Sequence, residues 1–212
     1  MITKEVQNKL AELGLSEPML LEIAMKGHAA RTNATEDDPS NAGGTMAYFA
    51  MVRAKRHALC PLGWEKDEVK GLPRTTNPET GVTLIISCGD KEVGIENGHP
   101  KTKNAKGPQA EFYISQNHQM DLFAEDLEKH VIKQDSNQQT WVLLHHFDAK
   151  NNEIRIELSL PTEMDENHYI SGWEQRLILP PINLNNPLSP SDTSSSSEYQ
   201  QELDIPVKRR QT

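Results

Sequence analysis

The stretch TWVLLHHFDAKNNEIRIELSLP, residues 140–161, constrains the fold of this chain more than any other part of it. It contains two apolar runs, separated by the turn-forming residues DAKNN at 148–152. In the second run, isoleucine and leucine alternate with arginine, glutamate and serine from Ile154 to Leu160. Alternation of this kind is typical of a strand with one buried face, and a short segment rich in Asn and Asp is typical of a turn between paired strands. The sequence therefore predicts a β-hairpin whose second strand buries one face.

The rest of the chain divides into a helical part and a part rich in strands. Three segments near the N-terminus carry apolar residues at the spacing of one helix face, and the character of the sequence changes after Trp64. Helices and strands that follow one another in blocks indicate the α+β class, so we expect N-terminal helices packed on a small, largely antiparallel sheet. The predicted helices lie at residues 3–14, 16–30 and 44–59, and the further strands at residues 82–87 and 173–182.

The C-terminal segment differs in composition from everything before it. Residues 183–212 consist mostly of Ser, Asn, Pro, Gln and charged residues. Such a segment buries too little apolar surface to offset the entropy lost on ordering, so we expect a flexible, low-complexity tail. Residues 1–182 are then a single α+β domain, with a helical part at 1–62 and a sheet-rich part at 63–182.

The charge of the chain argues against a broad grip on nucleic acid. The formal net charge is −9, whereas phosphate binding over a large surface requires positive charge. Two local basic runs stand out, at 52–57 and 101–107. In the second run, Lys101, Lys103 and Lys106 are candidates for phosphate contacts, and the alternative is that they are solvated lysines of a long surface loop.

The chain also carries indications of its compartment. Cys60 and Cys88 are far apart and match no metal-binding spacing, which favours a reducing compartment. The N-terminus lacks the apolar core of a signal peptide, and no run of about 18 apolar residues occurs. We therefore expect a cytoplasmic protein that does not contact a membrane.

Enzymatic chemistry is weakly indicated. His145 and His146 are neighbours on a predicted strand, so they point to opposite faces and are poorly placed to hold one metal ion. A Mg²⁺-dependent nucleic-acid-processing enzyme using Asp90, Asp148 or Glu157 remains the alternative, because a cluster of carboxylates is what Mg²⁺ requires. We predict no metal and no cofactor, and we favour a protein without catalytic activity.

The pentapeptide QMDLF at residues 119–123 is the most specific motif. It resembles the peptide Gln-Leu-[Ser or Asp]-Leu-Phe with which bacterial polymerases and repair proteins dock on the β sliding clamp, and it departs from that form only at Met120. The resemblance implies that Gln119, Met120, Asp121, Leu122 and Phe123 bind the clamp. It also implies an accessory protein of bacterial DNA replication or repair, or of a mobile element, that meets nucleic acid only indirectly or weakly.

A purely structural interpretation of the same residues is available. Phe123, Leu127 and Val131 are spaced four residues apart, which is the spacing of one face of a helix. If such a helix packed on the sheet, Phe123 would belong to the core and could not reach a partner.

A second resemblance covers most of the chain. The blocks GHAARTN, GW, SCGD, HPKTKNAKG, QMDLF, ELSLP and WEQRLILPPI resemble a family of uncharacterised bacterial proteins. This resemblance implies a bacterial origin, with a weaker implication of association with mobile elements. It implies no activity and no catalytic residues.

Overall fold

The computed structural model of the protein describes residues 2–124 and 138–185, and for residues 118–124 it describes the backbone only. Four α-helices, a short 3-10 helix and seven strands lie in these ranges, and they confirm the α+β class. The helices are α1 Lys4–Glu12, α2 Glu17–Arg31, α3 Ala42–Leu59 and α4 Pro108–Ala124, and the 3-10 helix is Cys60–Leu62. The strands are β1 Glu65–Val69, β2 Leu72–Thr76, β3 Thr83–Cys88, β4 Thr140–Asp148, β5 Glu153–Met164, β6 Ile170–Ile178 and β7 Ile182–Asn183.

The strands form one sheet in the order β1-β2-β3-β4-β5-β6, and β7 pairs with β5. The predicted hairpin is β4–β5, which pair antiparallel from Val142 opposite Ser159 to Asp148 opposite Glu153. Only β3 and β4 run parallel among the described strands, in register from Thr83 opposite Thr140. The chain between them, residues 89–139, is the crossover that a parallel pair requires, and it includes α4. The prediction of a largely antiparallel sheet is confirmed.

Helices α1 to α3 cover one face of this sheet. Their apolar side chains pack with those of β3, β4 and β5 in the larger of two cores, which contains Leu20, Met51 and Trp141. The close approach of α2 to α3 depends on Gly27, because a Cβ atom there would lie 2.4 Å from Cγ of Met51. Glycine is the residue that allows two backbones to approach this closely.

The opposite face of the sheet is covered by α4 and by the segment 89–107. A second, smaller core lies beneath them, with Val93 and Ile114 packed on Val142 and Leu144. This cover explains why one prediction about the hairpin is wrong. Strand β5 is buried on both faces rather than one, and its polar residues are buried with its apolar ones.

The hairpin β1–β2 and the helix α4 were not predicted. The hairpin formed by β1 and β2 begins with the charged and mostly exposed sequence EKDEV, at the edge of the sheet, so it has no apolar alternation to reveal it. Helix α4 begins at Pro108 inside a segment that reads as a loop, because glycine and proline are frequent just before it.

Asn183 and Leu184, the first two residues of the predicted tail, make contacts with the sheet and the core. Asn183 pairs with Glu153, the amide of Leu184 donates a hydrogen bond to the carbonyl of Asn152, and Leu184 packs partly against the larger core. Residues 186–212 lie outside the described residues, as do Leu127 and Val131 of the proposed helical stripe.

Candidate functional site

Helix α4 is fixed to the sheet directly before the QMDLF motif. Ala110, Ile114 and Asn117 are buried on its inner face. The side-chain amide of Asn117 donates to the carbonyls of Thr140 and Pro161 at 3.0 and 2.8 Å, and its oxygen accepts from the amide of Thr140 at 2.9 Å. One buried side chain therefore connects α4 to both β4 and β5, two residues before the motif begins.

The five residues of the motif continue α4, whose backbone is helical through Ala124. Positions 119 and 123 come seven and eleven residues after Phe112, which is the spacing of one helix face. The side chain of Phe112 is 53% exposed. Position 121 instead continues the spacing of the inner face that contains Ile114 and Asn117. The backbone positions of Gln119 and Phe123 are thus on the side of the helix away from the sheet.

The three carboxylates considered for Mg²⁺ are each engaged by protein groups. Asp90 accepts a hydrogen bond from the amide of Glu92, and Asp148 accepts from the amides of the hairpin turn and pairs with Arg155 at 3.1 Å. Those turn amides hold the pKa of Asp148 below its usual value. Within residues 2–117 and 138–185, no three His, Cys, Asp or Glu side chains come together in a way that could hold a metal ion.

Glu157 is fully buried, and its partners are structural. Its oxygens accept from Arg176 at 2.6 and 3.0 Å, from the hydroxyl of Ser159 at 2.8 Å and from the amide of Gly94 at 2.8 Å. Arg176 also donates to the carbonyls of Gly98 and Ile95. The pair therefore holds the segment 89–107 on the sheet, and Glu157 has no oxygen left over for a cation.

The three candidate lysines of the segment 101–107 separate in the structure. Lys101 pairs with Asp165 at 3.2 Å. The backbone amide of Lys103 donates to the carbonyl of Cys88, which brings this lysine to the end of β3. Burial lowers the pKa of the half-buried Lys106, and the charge of the Cys88 thiolate opposes this effect. Lys106 therefore lies near Cys88. Lys103 and Lys106 thus each lie near Cys88 at the carboxyl end of β3, whereas the side chain of Lys101 pairs with Asp165.

The carboxyl ends of β3 and β4 hold a group of side chains that sequence reasoning did not bring together. Cys88 and His145 are in register on these parallel strands and so lie on the same face of the sheet. His145 is 3% exposed, and neither of its ring nitrogens has a hydrogen-bond partner among the described residues. Burial lowers its pKa to about 3. Nδ1 of His28 is likewise buried without a described partner, and both imidazoles lie beside Phe147, with centroids 5.7 and 5.0 Å away.

A signal for this group exists in the sequence. In open sheets, ligands bind at the carboxyl ends of parallel strands. SCGD begins at the end of one apolar run, and HHFD ends another. What the sequence does not reveal is that these two strands are neighbours and parallel.

The other basic run, residues 52–57, contains a buried lysine. Lys55 is 0% exposed, and its ammonium donates to the carbonyls of Leu84 and Pro73 at 2.7 and 3.3 Å. Burial lowers its pKa to about 7. Lys55 is therefore neither a solvated lysine nor a phosphate ligand, but a connection between α3 and the backbone of β2 and β3.

No family model, curated protein or solved structure matches this chain. The two resemblances noted in the sequence therefore stay predictions. None of the helices in the described ranges has the length and the apolar composition to cross a membrane.

Proposed function

We propose that this chain is an accessory protein of bacterial DNA replication or repair, or of a mobile element, and that it docks on the β sliding clamp through Gln119–Phe123 in the cytoplasm. The motif matches four of the five positions of the clamp-binding peptide. One observation of the structure supports it most. The anchor at Asn117 and the exposed Phe112 define the two sides of α4, and helical spacing assigns positions 119 and 123 to the side of Phe112.

The chemistry of the five residues suits a peptide that fills a pocket. Leu122 and Phe123 are large apolar residues, and burying each in a partner contributes roughly 1.5–3 kcal/mol. The amide of Gln119 both donates and accepts hydrogen bonds, so it can fix the register of the peptide. A few such anchors carry most of the binding energy of a typical interface.

The experiment measures the affinity of the purified full-length chain for a purified bacterial β sliding clamp. We expect saturable binding by the wild type and no measurable binding by the double variant Leu122→Ala/Phe123→Ala. Phe112→Ala is the matched control, since it removes an exposed aromatic side chain from the same helix outside the motif. We expect Phe112→Ala to bind the clamp as the wild type does.

Two outcomes would contradict the proposal. The first is a wild type that does not bind the clamp. The second is a double variant that binds as tightly as the wild type, since the contact would then lie elsewhere on the chain. The loss of binding by the double variant supports the proposal only if the thermal midpoint shows that this variant is folded.

A further inference from the structure

We propose that the carboxyl ends of β3 and β4 form a binding site for a small phosphate-type oxyanion, held by Arg31, Lys103 and Lys106 beside Cys88, with His145 as a neutral hydrogen-bond donor. This site is separate from the QMDLF motif, and the proposal does not depend on clamp binding.

The first argument is the unsatisfied imidazole of His145. A neutral imidazole has one N–H donor and one acceptor, and leaving such groups buried without partners costs free energy. Buried polar groups without a protein partner are rare and call for an explanation, such as a bound ion or water. His145 is paired with Cys88 on the neighbouring parallel strand, so the unsatisfied ring and the thiol are neighbours on the same face of the sheet.

The second argument is the charge around Cys88. The charges that act on the pKa of this thiol are those of Lys103, Arg31 and Lys106, all cationic, and they oppose the larger raising effect of burial. Burial lowers the pKa of His145 most, and Lys106 and Arg31 lower it further, so two of the three cations act on both side chains. Asp90 and Asp148 also lie near these strand ends, but Asp90 accepts from the amide of Glu92 and Asp148 pairs with Arg155, and neither is among the charges that act on Cys88.

The third argument is that these cations form no ion pair in the described part of the chain. None of Arg31, Lys103 and Lys106 forms an ion pair with a residue in the described ranges, whereas Lys101, in the same segment, pairs with Asp165. The guanidinium of Arg31 lies 5.5 Å above the ring of Phe147, which holds it over the site. Arginine in this position keeps its planar set of donors free for an oxyanion.

These features together select the ligand class. Several cations and one neutral donor favour an anion that carries more than one charge and several acceptor oxygens, which describes a phosphate group. The site also lies at the carboxyl ends of β3 and β4, the one parallel pair among the described strands.

The test uses the full-length protein and inorganic phosphate, with chloride at the same ionic strength as the reference. Binding is followed by nuclear magnetic resonance through the backbone amides of Gly89 and Lys106 and through the ring of His145. We expect a saturable response to phosphate at all three and none to chloride. A response equal for both anions, or confined to exposed lysines, would overturn the proposal.

Variants decide whether these side chains form the site. Arg31→Gln and Lys106→Gln each remove a charged donor, and we expect roughly tenfold weaker phosphate binding from each, which is what the loss of one charge-assisted hydrogen bond implies. Lys91→Gln, an exposed lysine of the same segment, is the matched control and should bind as the wild type does. Unchanged affinity in Arg31→Gln, which alters an exposed residue of α2 and should fold normally, would overturn the assignment.

Cysteine reactivity gives an independent measurement. We expect phosphate, but not chloride, to slow the modification of Cys88 by a small thiol reagent. Cys60, the other free cysteine, is the internal control, because it lies in the 3-10 helix after α3 and is not part of the proposed site. Its modification rate should not change. Slowing of both cysteines to the same degree would mean that phosphate acts on the reagent rather than on the site.

Discussion

Glu157 and Arg176 form an ion pair of 2.6 Å between neighbouring strands, and the carboxylate is completely buried. The pair reaches beyond the sheet, since Glu157 accepts from Gly94 and Arg176 donates to Gly98 and Ile95. A buried ion pair adds little to the free energy of unfolding compared with an apolar pair of the same size. Removal of one partner is costly, however, because the other charge is left unpaired. The segment 89–107 therefore depends on both side chains being present.

The first prediction follows from this dependence. Glu157→Ala should lower the free energy of unfolding by roughly 3–5 kcal/mol, because it leaves the largely buried guanidinium of Arg176 unpaired. Urea denaturation measures the change. Glu163→Ala, an exposed glutamate on the same strand, is the control and should change little. Equal losses in the two variants would show that burial of the pair is not the cause.

The second prediction concerns Lys55 and alkaline pH. Its pKa in the folded protein is about 7, below the value of 10.5 that it has when exposed, so the unfolded state binds more protons between these two values. Stability should therefore rise with pH from about 7 to about 10 by a few kcal/mol. Lys55→Met should remove this rise, whereas Lys91→Met should keep it. A flat stability profile in the wild type over this range would contradict the prediction.

The third prediction concerns His145 and acid. Its pKa of about 3 lies below the usual 6.5, so the unfolded state takes up a proton first as the pH falls. Stability should fall with pH between about 6.5 and 3, and His145→Phe should make this fall less steep.

The same variant should raise stability at neutral pH by about 1–3 kcal/mol, because it removes two buried nitrogens without described partners. His57→Gln, an exposed histidine, should change neither property; a destabilised His145→Phe would mean that the imidazole has a partner in solution.

A structural feature of this chain could be predicted from the sequence where its residues lie close together in the chain. The β4–β5 hairpin was predictable, because alternation and turn residues lie within one short stretch. The burial of Lys55 was not predicted, because it lies in a basic run, although Met51, Lys55 and Leu59 follow one another at the spacing of one helix face.

The polar side chains of the second sheet face were not predictable in this way. Glu157 and Arg176 are brought together by a strand pairing that contains bulges, and their cover comes from the segment 89–107. Cys88 and His145 meet because β3 and β4 run parallel across a crossover of about 50 residues. Alternation in one strand carries no information about which strand becomes its neighbour or in which register.

The last prediction separates display of the QMDLF motif from burial. If Leu122 and Phe123 belong to a partner's pocket, the double variant Leu122→Ala/Phe123→Ala should keep the thermal midpoint of the wild type within a few degrees. If they belong to the core, two large-to-small changes should cost roughly 4–8 kcal/mol and unfold most domains of this size.

The same helix offers both controls for this measurement. Ile114→Ala, at a residue only 2% exposed, shows the cost of a true core position on α4, which we expect to be about 2–5 kcal/mol. Phe112→Ala, at a residue that is 53% exposed, shows the cost of an outward position and should be small. A double variant that behaves like Ile114→Ala would assign Leu122 and Phe123 to the core, and the likeness to a clamp-binding peptide would then follow from the composition of a buried helix. A double variant that behaves like Phe112→Ala, and that no longer binds the clamp, would leave docking as the role of these two residues.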